Sequence, residues 1–372
     1  MTETLYNGIE LPDAWPPRDM DPAAYEPMPV PYLDDPPAVI PIDVGRQLFV
    51  DDFLIERTTL ERVFHLPTKH EGNPILKPET PLETEGYLPC ATPKDGGVWW
   101  DPDAGLFKMW YEAGWLGRLA YATSEDGMHW DRPALDLEPP TNRIVPELTG
   151  DSGAVVIYLD TDDPSQRYKL YERESNKAAG GKGAPGYSMV SPDGIHWSEP
   201  VAGGPVGDRS TMFYNPFRRR WVYSIRGGGQ GIGRARRYRE HADFLEGATW
   251  ADGEAVFWCG ADRNDPPDPD IGDPAQLYNL NAVGYESLML GLFEIHLGPD
   301  NKVCQAEARP KITELKTAFS RDGFHWHRPD RRAFIPAARR EGVWDRGYVN
   351  RSAASARCAA MSCGSTTPAS WA

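Results

Sequence analysis

Short apolar and aromatic stretches separated by turn residues dominate the hydrophobic pattern of this chain. The stretches "GVWW" and "LFKMWY" flank the turn "DPDAG", and a third apolar stretch runs into Ser124. Stretches of this length, bounded by Asp, Pro and Gly, predict the strands of a β-meander. The same order recurs in "AVVIYLDTDDPSQRYKLYERES", "TMFYNPFRRRWVYSIR" and "NAVGYESLMLGLFEIHLGP". The pattern therefore predicts four similar sheets and little helix.

A ten-residue motif closes three of the four copies. It reads "SEDGMHWDRP" at 124–133, "SPDGIHWSEP" at 191–200 and "SRDGFHWHRP" at 320–329. The Asp-Gly pair favours a tight hairpin turn, the Ser can bond to the turn backbone, and the Trp can cover the junction with the next sheet. The third copy keeps only Trp250 of this motif. We interpret the motif as a blade hairpin, and the alternative is that its histidines, His129, His196 and His325, act in chemistry.

Four copies at a spacing of about 65 residues are typical of β-propeller blades, since a β-sandwich has no reason to repeat itself. We place four blades between residues 83 and 330 and the start of a fifth at "GVWDRGYV", 342–349. The stretch "RQLFVDDFLIE", 46–56, is predicted as a strand that closes the ring. The predicted fold is all-β, a five-bladed β-propeller whose fifth blade is incomplete.

The chain divides into three parts by composition. Residues 1–42 are rich in Pro and acids and predict an irregular segment, and residues 43–349 contain the propeller. Residues 350–372 are rich in Ala and Ser where a blade should finish. With permitted codons, the shifted reading frame from Asn350 encodes "SVGGVCAVRGDELWFYYTGFVG", which has the strand-turn-strand order of a blade. We therefore interpret 350–372 as a non-native tail, produced by a frameshift that truncates the fifth blade.

Charge and composition narrow the possible partners. The formal net charge is −16 over 372 residues, so a broad surface would repel the phosphates of nucleic acid or of an anionic membrane. We expect neither partner and favour neutral or cationic ligands. No apolar run could span a bilayer and the N-terminus lacks an apolar signal core, which predicts a cytoplasmic protein. The five cysteines show no CxxC pair and no zinc spacing.

The combination of "LFVDDFLIE", "NPILKP", "LFKMWY" and the three closing motifs resembles a known superfamily. These are the five-bladed β-propeller glycosidase-like proteins, which include glycoside hydrolase families 32, 43, 68 and 130. The resemblance covers about residues 45–349. It implies an axial funnel where innermost strands carry a general acid, a base or nucleophile, and a transition-state stabiliser. The "NDPNG" and "EC" stretches of the invertases and the "EDPR" of the phosphorylase branch are absent.

Acids at the starts of the innermost strands are the candidate catalytic groups. Glycoside cleavage needs two carboxyl groups across one bond, and acids at these starts would open toward the axis at one end. Crowding of such acids would raise the pKa of at least one of them, as a general acid requires. The predicted catalytic residues of this kind are Glu83, Asp151, Asp208 and Asp345.

Asp51 and Asp52 lie in an apolar stretch, where an acid is costly unless it is hydrogen-bonded. Strand alternation would direct them to opposite faces, so one is expected to face the axis. We favour Asp52 as a further catalytic carboxylate, and the alternative is a structural partner for the backbone or Arg46. Glu286 also lies in an apolar run but falls at the turn end of its strand, so it is expected to be structural.

Polar residues at the same level complete the predicted site. Arg209 could hold a neighbouring carboxylate ionised or bind a substrate oxygen. No cofactor and no catalytic metal are predicted. The acid-rich stretch 262–273 could bind Ca²⁺ through oxygen ligands, but its spacing favours a rim loop with turns. The predicted substrate-binding residues are Tyr87, Arg209, Tyr278, Asn279, Asn281 and Tyr348.

The sequence thus predicts a glycoside hydrolase that acts on a carbohydrate with paired carboxylates. Three alternatives stay open. A glycoside phosphorylase would need two or more basic side chains near the site, a non-catalytic propeller would only bind carbohydrate, and a truncated fragment would be inactive. The sugar, the anomeric outcome and the oligomeric state are left open.

Overall fold

The computed structural model describes residues 3–174, 185–229 and 232–349, so the tail at 350–372 lies outside the described residues. The chain forms two compact units, one built from residues 1–70 and 209–350 and the other from 71–208. Each unit contains two antiparallel sheets whose strands follow chain order. Among the described residues, no helix combines the length and apolarity that crossing a membrane demands.

The N-terminal segment is largely irregular and contains one short helix, α1 (Pro31–Asp34). The prediction of a closing strand at 46–56 is wrong, because these residues form bends and turns. Asp51 explains the difference. Its carboxylate accepts the backbone N–H of Phe53 at 3.2 Å and binds the Arg321 guanidinium at 2.8 Å, which folds the chain back locally instead of extending it.

The unit at 71–208 begins with helix α2 (Pro81–Thr84) and has two four-stranded sheets. The first strands of its two sheets lie against each other. The first sheet contains β1 (Ala91–Asp101), β2 (Leu106–Ala113), β3 (Arg118–Ser124) and β4 (Arg143–Ile144). The second contains β5 (Gly150–Ile157), β6 (Tyr168–Glu174), β7 (Pro185–Ser191) and β8 (Val201–Pro205), with a 3₁₀ turn at Pro164–Gln166.

The other unit contains the third and fourth sheets, whose first strands also lie side by side. The third sheet contains β9 (Thr211–Asn215), β10 (Arg220–Gly229), β11 (Gly233–His241) and β12 (Val256–Cys259). The fourth contains β13 (Gln276–Tyr285), β14 (Leu288–Gly298) and β15 (Ile312–Ser320). Short helices follow β11 and β14, and they are α3 (Phe244–Gly247) and α4 (Asn301–Glu307). Helix α3 stands where the third repeat lacks its closing motif.

The prediction of four repeated sheets is confirmed, and the fold is an all-β propeller type with four blades. The expected fifth blade is not formed by the described residues. Within 342–349, Tyr348 makes an isolated parallel bridge to Thr313, and Arg346 makes another to Ala338. Because both bridges are isolated, residues 342–349 form no sheet.

The closing motif is a turn held by its own side chains. In the first copy, Ser124 Oγ accepts the backbone N–H of Gly127 at 2.8 Å, and Asp126 Oδ2 lies 2.7 Å from His129 Nδ1. Gly127 has a φ of +75°, which favours glycine. The other two copies repeat both contacts, with Ser191, Asp193, Gly194 and His196 and with Ser320, Asp322, Gly323 and His325. Each of the three histidines contacts the Asp of its own turn, which fits the architectural interpretation of the motif.

A buried tryptophan of one sheet holds the closing turn of the next sheet in the same unit. Trp110 on β2 donates its indole N–H to the Gly194 carbonyl at 2.7 Å. Trp258 on β12 donates to the Phe324 carbonyl at 2.8 Å. Both indoles are buried, so the hydrogen bonds are made in a water-excluded core. In each unit, a hydrogen bond to the closing turn thus links two neighbouring sheets.

Candidate functional site

Glu83 is fully buried at the third position of α2, and four donors occupy its carboxylate. Oε1 accepts the Tyr111 hydroxyl at 2.7 Å and Arg132 Nε at 2.6 Å. Oε2 accepts the backbone N–H groups of Glu79 at 2.8 Å and Thr80 at 3.0 Å. Burial alone would raise the pKa of Glu83, but these hydrogen bonds, led by Arg132, lower it below its usual value. The contacts favour a capping role, and catalysis by Glu83 stays a prediction.

Asp151 is the extra residue of a β-bulge at the start of β5, where the ladder with β6 slips by one residue. A bulge re-aims the side chain that it carries and is common beside active sites. The Asp151 carboxylate is buried and forms an ion pair with Arg173. Its backbone N–H donates to Glu172 Oε1 at 3.0 Å. The structure therefore places two acidic residues, Asp151 and Glu172, beside each other.

Lys94 and Glu172 form a buried ion pair between the first and second sheets. The Nζ–Oε1 distance is 2.8 Å, and the side chains are 1% and 0% exposed. Lys94 lies in a wide bulge of β1 between Pro93 and Val98. In that bulge, a Cβ on Gly96 would lie 1.9 Å from the Val155 carbonyl oxygen of β5, so only glycine allows this approach. The bulge brings the Lys94 ammonium to Glu172, whose carboxylate also accepts the Asp151 backbone N–H at the start of β5.

A buried glutamate occupies the same position of the second strand in three of the four sheets. Glu112, Glu172 and Glu294 follow an aromatic residue in "WYEAG", "LYERE" and "LFEIH". Ser224 takes the position in the third sheet, in "VYSIR". Sequence reasoning missed these residues, although the aligned repeats contained the signal. An acid at one fixed place in an apolar strand is costly and so indicates a specific partner.

Each residue at this repeated position accepts a hydrogen bond from a backbone N–H or from a basic side chain. Glu112 Oε1 accepts the Leu116 backbone N–H at 2.6 Å, and Glu294 Oε2 accepts Arg209 Nη2 at 2.9 Å. Ser224 Oγ accepts Arg236 Nε at 3.0 Å. We call Glu112, Glu172, Ser224 and Glu294 the second-strand polar positions.

Arg209, Tyr278 and Tyr348, all predicted to bind substrate, lie together in the unit that contains the third and fourth sheets. Arg209 is buried with a φ of +62°, and its guanidinium lies 5.8 Å from the Tyr278 ring centre. Tyr278 is the extra residue of a bulge at the start of β13. Its ring contacts the rings of His296 at 5.6 Å and Tyr348 at 6.3 Å, edge to face. The predicted Asn279 and Asn281 are buried on the same strand.

The remaining predicted residues have different surroundings. Asp52 is exposed and pairs with Arg62, whereas its neighbour Asp51 is the buried member of the pair. Asp345 is buried against Lys69, and Asp208 is half-buried in the turn before β9. Tyr87 is 74% exposed. Catalytic or binding roles for Asp52, Asp345, Asp208 and Tyr87 stay predictions.

Glu286, which was expected to be structural, forms an ion pair with Arg46. Its carboxylate binds Arg46 at 2.6 Å and accepts the Arg46 backbone N–H at 2.9 Å. These bonds lower the pKa of Glu286, with the Arg46 side chain as the largest cause. The pair links the N-terminal segment to the turn between β13 and β14.

The acid-rich stretch 262–273 faces cations of the chain. Asp265 is fully buried and accepts both terminal nitrogens of Arg328 at 2.7 Å and Lys316 Nζ at 3.2 Å. Asp262 binds Arg331 at 2.8 Å. Across residues 3–174, 185–229 and 232–349, no group of three or more His, Cys, Asp and Glu side chains is arranged to hold a metal ion.

No family model matches the chain, and a search of curated proteins finds no match. Solved structures do resemble it. An N-acetylgalactosamine deacetylase from F. plautii is 15% identical with a TM-score of 0.45, over 68% of this chain and 77% of that one. An endo-arabinase from Bacteroides thetaiotaomicron is 10% identical with a TM-score of 0.43, over 65% and 81%. A β-1,2-mannobiose phosphorylase from Listeria innocua is 14% identical with a TM-score of 0.42, over 60% and 59%.

Proposed function

We propose that this chain is a carbohydrate-active β-propeller that cleaves a glycosidic bond with paired carboxylates. One observation carries the proposal: Asp151 is re-aimed by a bulge, paired with Arg173 and bound through its backbone to Glu172. The strand patterns and closing motifs that resemble the glycosidase superfamily suggest the class of reaction. A carbohydrate is the proposed partner, and the cytoplasmic location stays a prediction.

The proposed roles follow from the surroundings of each acid. The Arg173 guanidinium favours the ionised form of Asp151, which suits a base or a nucleophile. Asp208 is proposed as the general acid, because it is half-buried in a turn at the start of the next first strand. Carboxyl groups about 5–5.5 Å apart give retention, and groups about 6.5–9.5 Å apart give inversion. Glu172 is a positioning residue, since it accepts the Asp151 backbone N–H.

A screen of aryl glycosides on the full chain, with and without inorganic phosphate, tests the proposal. Asp151→Asn and Asp208→Asn should each lower kcat by about 10²–10⁴-fold, as expected for acid–base groups. The matched control is Asp103→Asn, which removes an exposed acid of the same unit and should leave kcat unchanged. Full activity in both site variants would reject the assignment.

The pH–rate profile separates the two roles. If Asp151 is the base, Asp151→Asn should remove the acidic limb of the profile, and Asp208→Asn should remove the basic limb. Turnover only with phosphate would favour the phosphorylase, and sugar binding without turnover would favour the non-catalytic propeller. Either outcome would replace the hydrolase proposal.

We also propose that the intact gene encodes a fifth blade that begins at 342–349. Trp344 is 57% exposed, and a further sheet that begins at 342–349 would cover it. Resequencing the DNA that encodes 345–372 tests this directly. A lost or gained base is expected, and an intact frame would end the proposal. In a frame-corrected chain, Trp344 fluorescence should shift to the blue relative to the present chain.

A further inference from the structure

A cavity of about 250 Å³ lies where the N-terminal segment packs on the third and fourth sheets. All of its lining residues belong to the unit built from 1–70 and 209–350. Residues between 20 and 30 form one wall, and β12, β14 and the last closing motif form the other. The Trp326 backbone N–H donates to Met28 Sδ at 3.1 Å and so links the two walls. We call this space the Arg328 cavity.

Arg328 lines the cavity and is held rigidly. Its two terminal nitrogens, Nη1 and Nη2, each bind Asp265 at 2.7 Å. Its guanidinium carbon lies 4.6 Å from the centre of the Phe293 ring, and 8% of the Arg328 surface is exposed. An arginine that is fixed both at its end and on its face cannot turn toward water to satisfy its remaining donor.

That remaining donor distinguishes the fourth repeat from the first. Arg328 Nε is buried and has no acceptor in the part of the chain that the structure describes. Arg132 holds the same place in the first closing motif, "HWDRP" against "HWHRP", and its Nε donates to Glu83 at 2.6 Å. A buried donor of a charged group is costly when it lacks an acceptor. Because the first repeat supplies this acceptor from the chain, we infer that a ligand supplies it in the fourth.

Trp326 adds a second donor to the lining of the cavity. Its indole is 2% exposed, and its Nε1 has no acceptor within 3–174, 185–229 and 232–349. The same holds for Trp130 and Trp197 of the other closing motifs, so the tryptophan by itself does not indicate a site. The arginine makes the fourth repeat different.

The charges of the lining favour a neutral ligand. Its two arginines are already paired with Asp262 and Asp265, at 2.8 Å and 2.7 Å. His327 also lines the cavity, and burial lowers its pKa, which favours the uncharged imidazole. The exposed carboxylates of Asp21 and Glu26 lie in the same lining and would repel an anion.

We propose that the Arg328 cavity binds one ring of a neutral sugar, at a site separate from bond cleavage. A hydroxyl oxygen of the ring would accept the hydrogen bond from Arg328 Nε, and its apolar C–H groups would pack against Phe257 and Phe293. The cavity is smaller than the pockets of about 300–1,000 Å³ that hold drug-sized ligands, which favours a single ring. Asp151 and Asp208 do not line it, so the site does not depend on the proposed function.

Titration of the full chain by saturation-transfer NMR tests binding with D-glucose, D-galactose, D-mannose and L-arabinose as the probes. At least one of them should bind. Glucuronate is the anionic control and should bind more weakly, and indole is an apolar control that brings no oxygen acceptor. Binding of none of the four sugars, tighter binding of glucuronate, or binding of indole alone would overturn the proposal.

Two variants locate the bound sugar. Ala261 lines the cavity, so Ala261→Leu would fill part of it and should abolish binding, whereas Ala251→Leu at an exposed position should not. Arg328→Lys keeps a cation beside Asp265 but removes Nε, and should weaken binding by about tenfold or more. Its control is Arg332→Lys at an exposed arginine. Circular dichroism identifies variants that fail to fold, and unchanged binding by either folded cavity variant would refute the site.

The Asp151→Asn/Asp208→Asn double variant separates this proposal from the proposed function. Sugar binding that survives in this double variant and is lost in Ala261→Leu would support the Arg328 cavity, whether or not the parent chain cleaves any glycoside. Sugar binding that is lost in the double variant and survives in Ala261→Leu would assign the sugar to the proposed catalytic acids and reject the cavity.

Discussion

Lys94 and Glu172 join the first and second sheets through an ion pair of 2.8 Å whose two side chains are almost fully buried. Glu172 also accepts the backbone N–H of Asp151, so the same carboxylate links a cation of β1 to an acid of β5. Removing one partner of a buried pair leaves an uncompensated charge. The stability of the unit at 71–208 should therefore depend on this pair.

Lys94→Met is expected to lower the free energy of unfolding by about 3–5 kcal/mol, because the buried Glu172 carboxylate loses the ammonium with which it pairs. The Lys94→Met/Glu172→Leu double variant should be less destabilised than Lys94→Met alone. Urea unfolding measures both. The exposed pair of Arg263 and Glu26 is the control, and Arg263→Gln should cost less than about 1 kcal/mol. A Lys94→Met chain as stable as its parent would contradict the prediction.

Asp265 should make the free energy of unfolding depend on pH in the acidic range. Burial would raise its pKa, but Arg328, Lys316 and Arg331 lower it to about 2. A lowered pKa contributes stability above the unfolded value of about 3.9, and the contribution is lost as the pH falls toward 2. Asp265→Asn should thus be strongly destabilised at pH 7, with a difference from the parent that shrinks between about pH 4 and pH 2.

Unfolding by denaturant at pH 7 and pH 3 would measure this change. Asp103→Asn, at an exposed ion pair, serves as the control and should show a small difference at both values. A difference for Asp265→Asn that stays constant with pH would count against the buried cluster.

The histidines should titrate in an order set by their surroundings. The Asp126 carboxylate raises the pKa of His129, Asp193 and then Asp136 raise that of His196, and burial lowers that of His327. The raised groups stabilise the fold below about pH 6.5 and lose that contribution as the pH rises through their folded values. NMR titration of the imidazole rings should place His129 and His196 above His327, and the reverse order would refute the turn contacts.

Two glycines in equivalent turns should differ in their tolerance of alanine. Gly127 and Gly323 have φ values of +75° and +84°, so both lose stability on substitution. A Cβ on Gly323 would also lie 2.3 Å from Asn215 Nδ2, whereas one on Gly127 would meet Phe107 at an ordinary 3.8 Å. Thermal unfolding should therefore show a larger loss for Gly323→Ala than for Gly127→Ala, and equal losses would contradict the close approach.

Local pattern was enough to predict the strands and the closing turns. The turn motif contains its own bonding partners within six residues, as the Ser124, Asp126 and Gly127 contacts show, so no distant residue is needed to form it. Local pattern did not predict the structure of residues 46–56 correctly. There Asp51 binds Arg321, a partner 270 residues away that the local pattern could not reveal.

The candidate site was predicted in part for a similar reason. Repeat alignment located Asp151, Arg209 and Tyr278 at strand starts, but the bulges that aim Asp151 and Tyr278 depend on neighbouring strands. The second-strand polar positions were visible in the aligned repeats and were missed because their strands were interpreted only as core. Nothing in the sequence around Arg234 and Lys311 indicates that both lie near the Tyr278 ring.

The sequence by itself determined the all-β repeat, the turn chemistry and the polar residues available at strand starts, because each follows from spacing and composition over a few residues. The tertiary structure decided which charges meet. Glu83 accepts a hydrogen bond from Arg132, whereas Asp52 is exposed. Arg209, Arg234 and Lys311 lie around the ring of Tyr278. Such pairings depend on distances between elements far apart in the chain, and electrostatic interaction depends on distance and burial rather than on sequence separation.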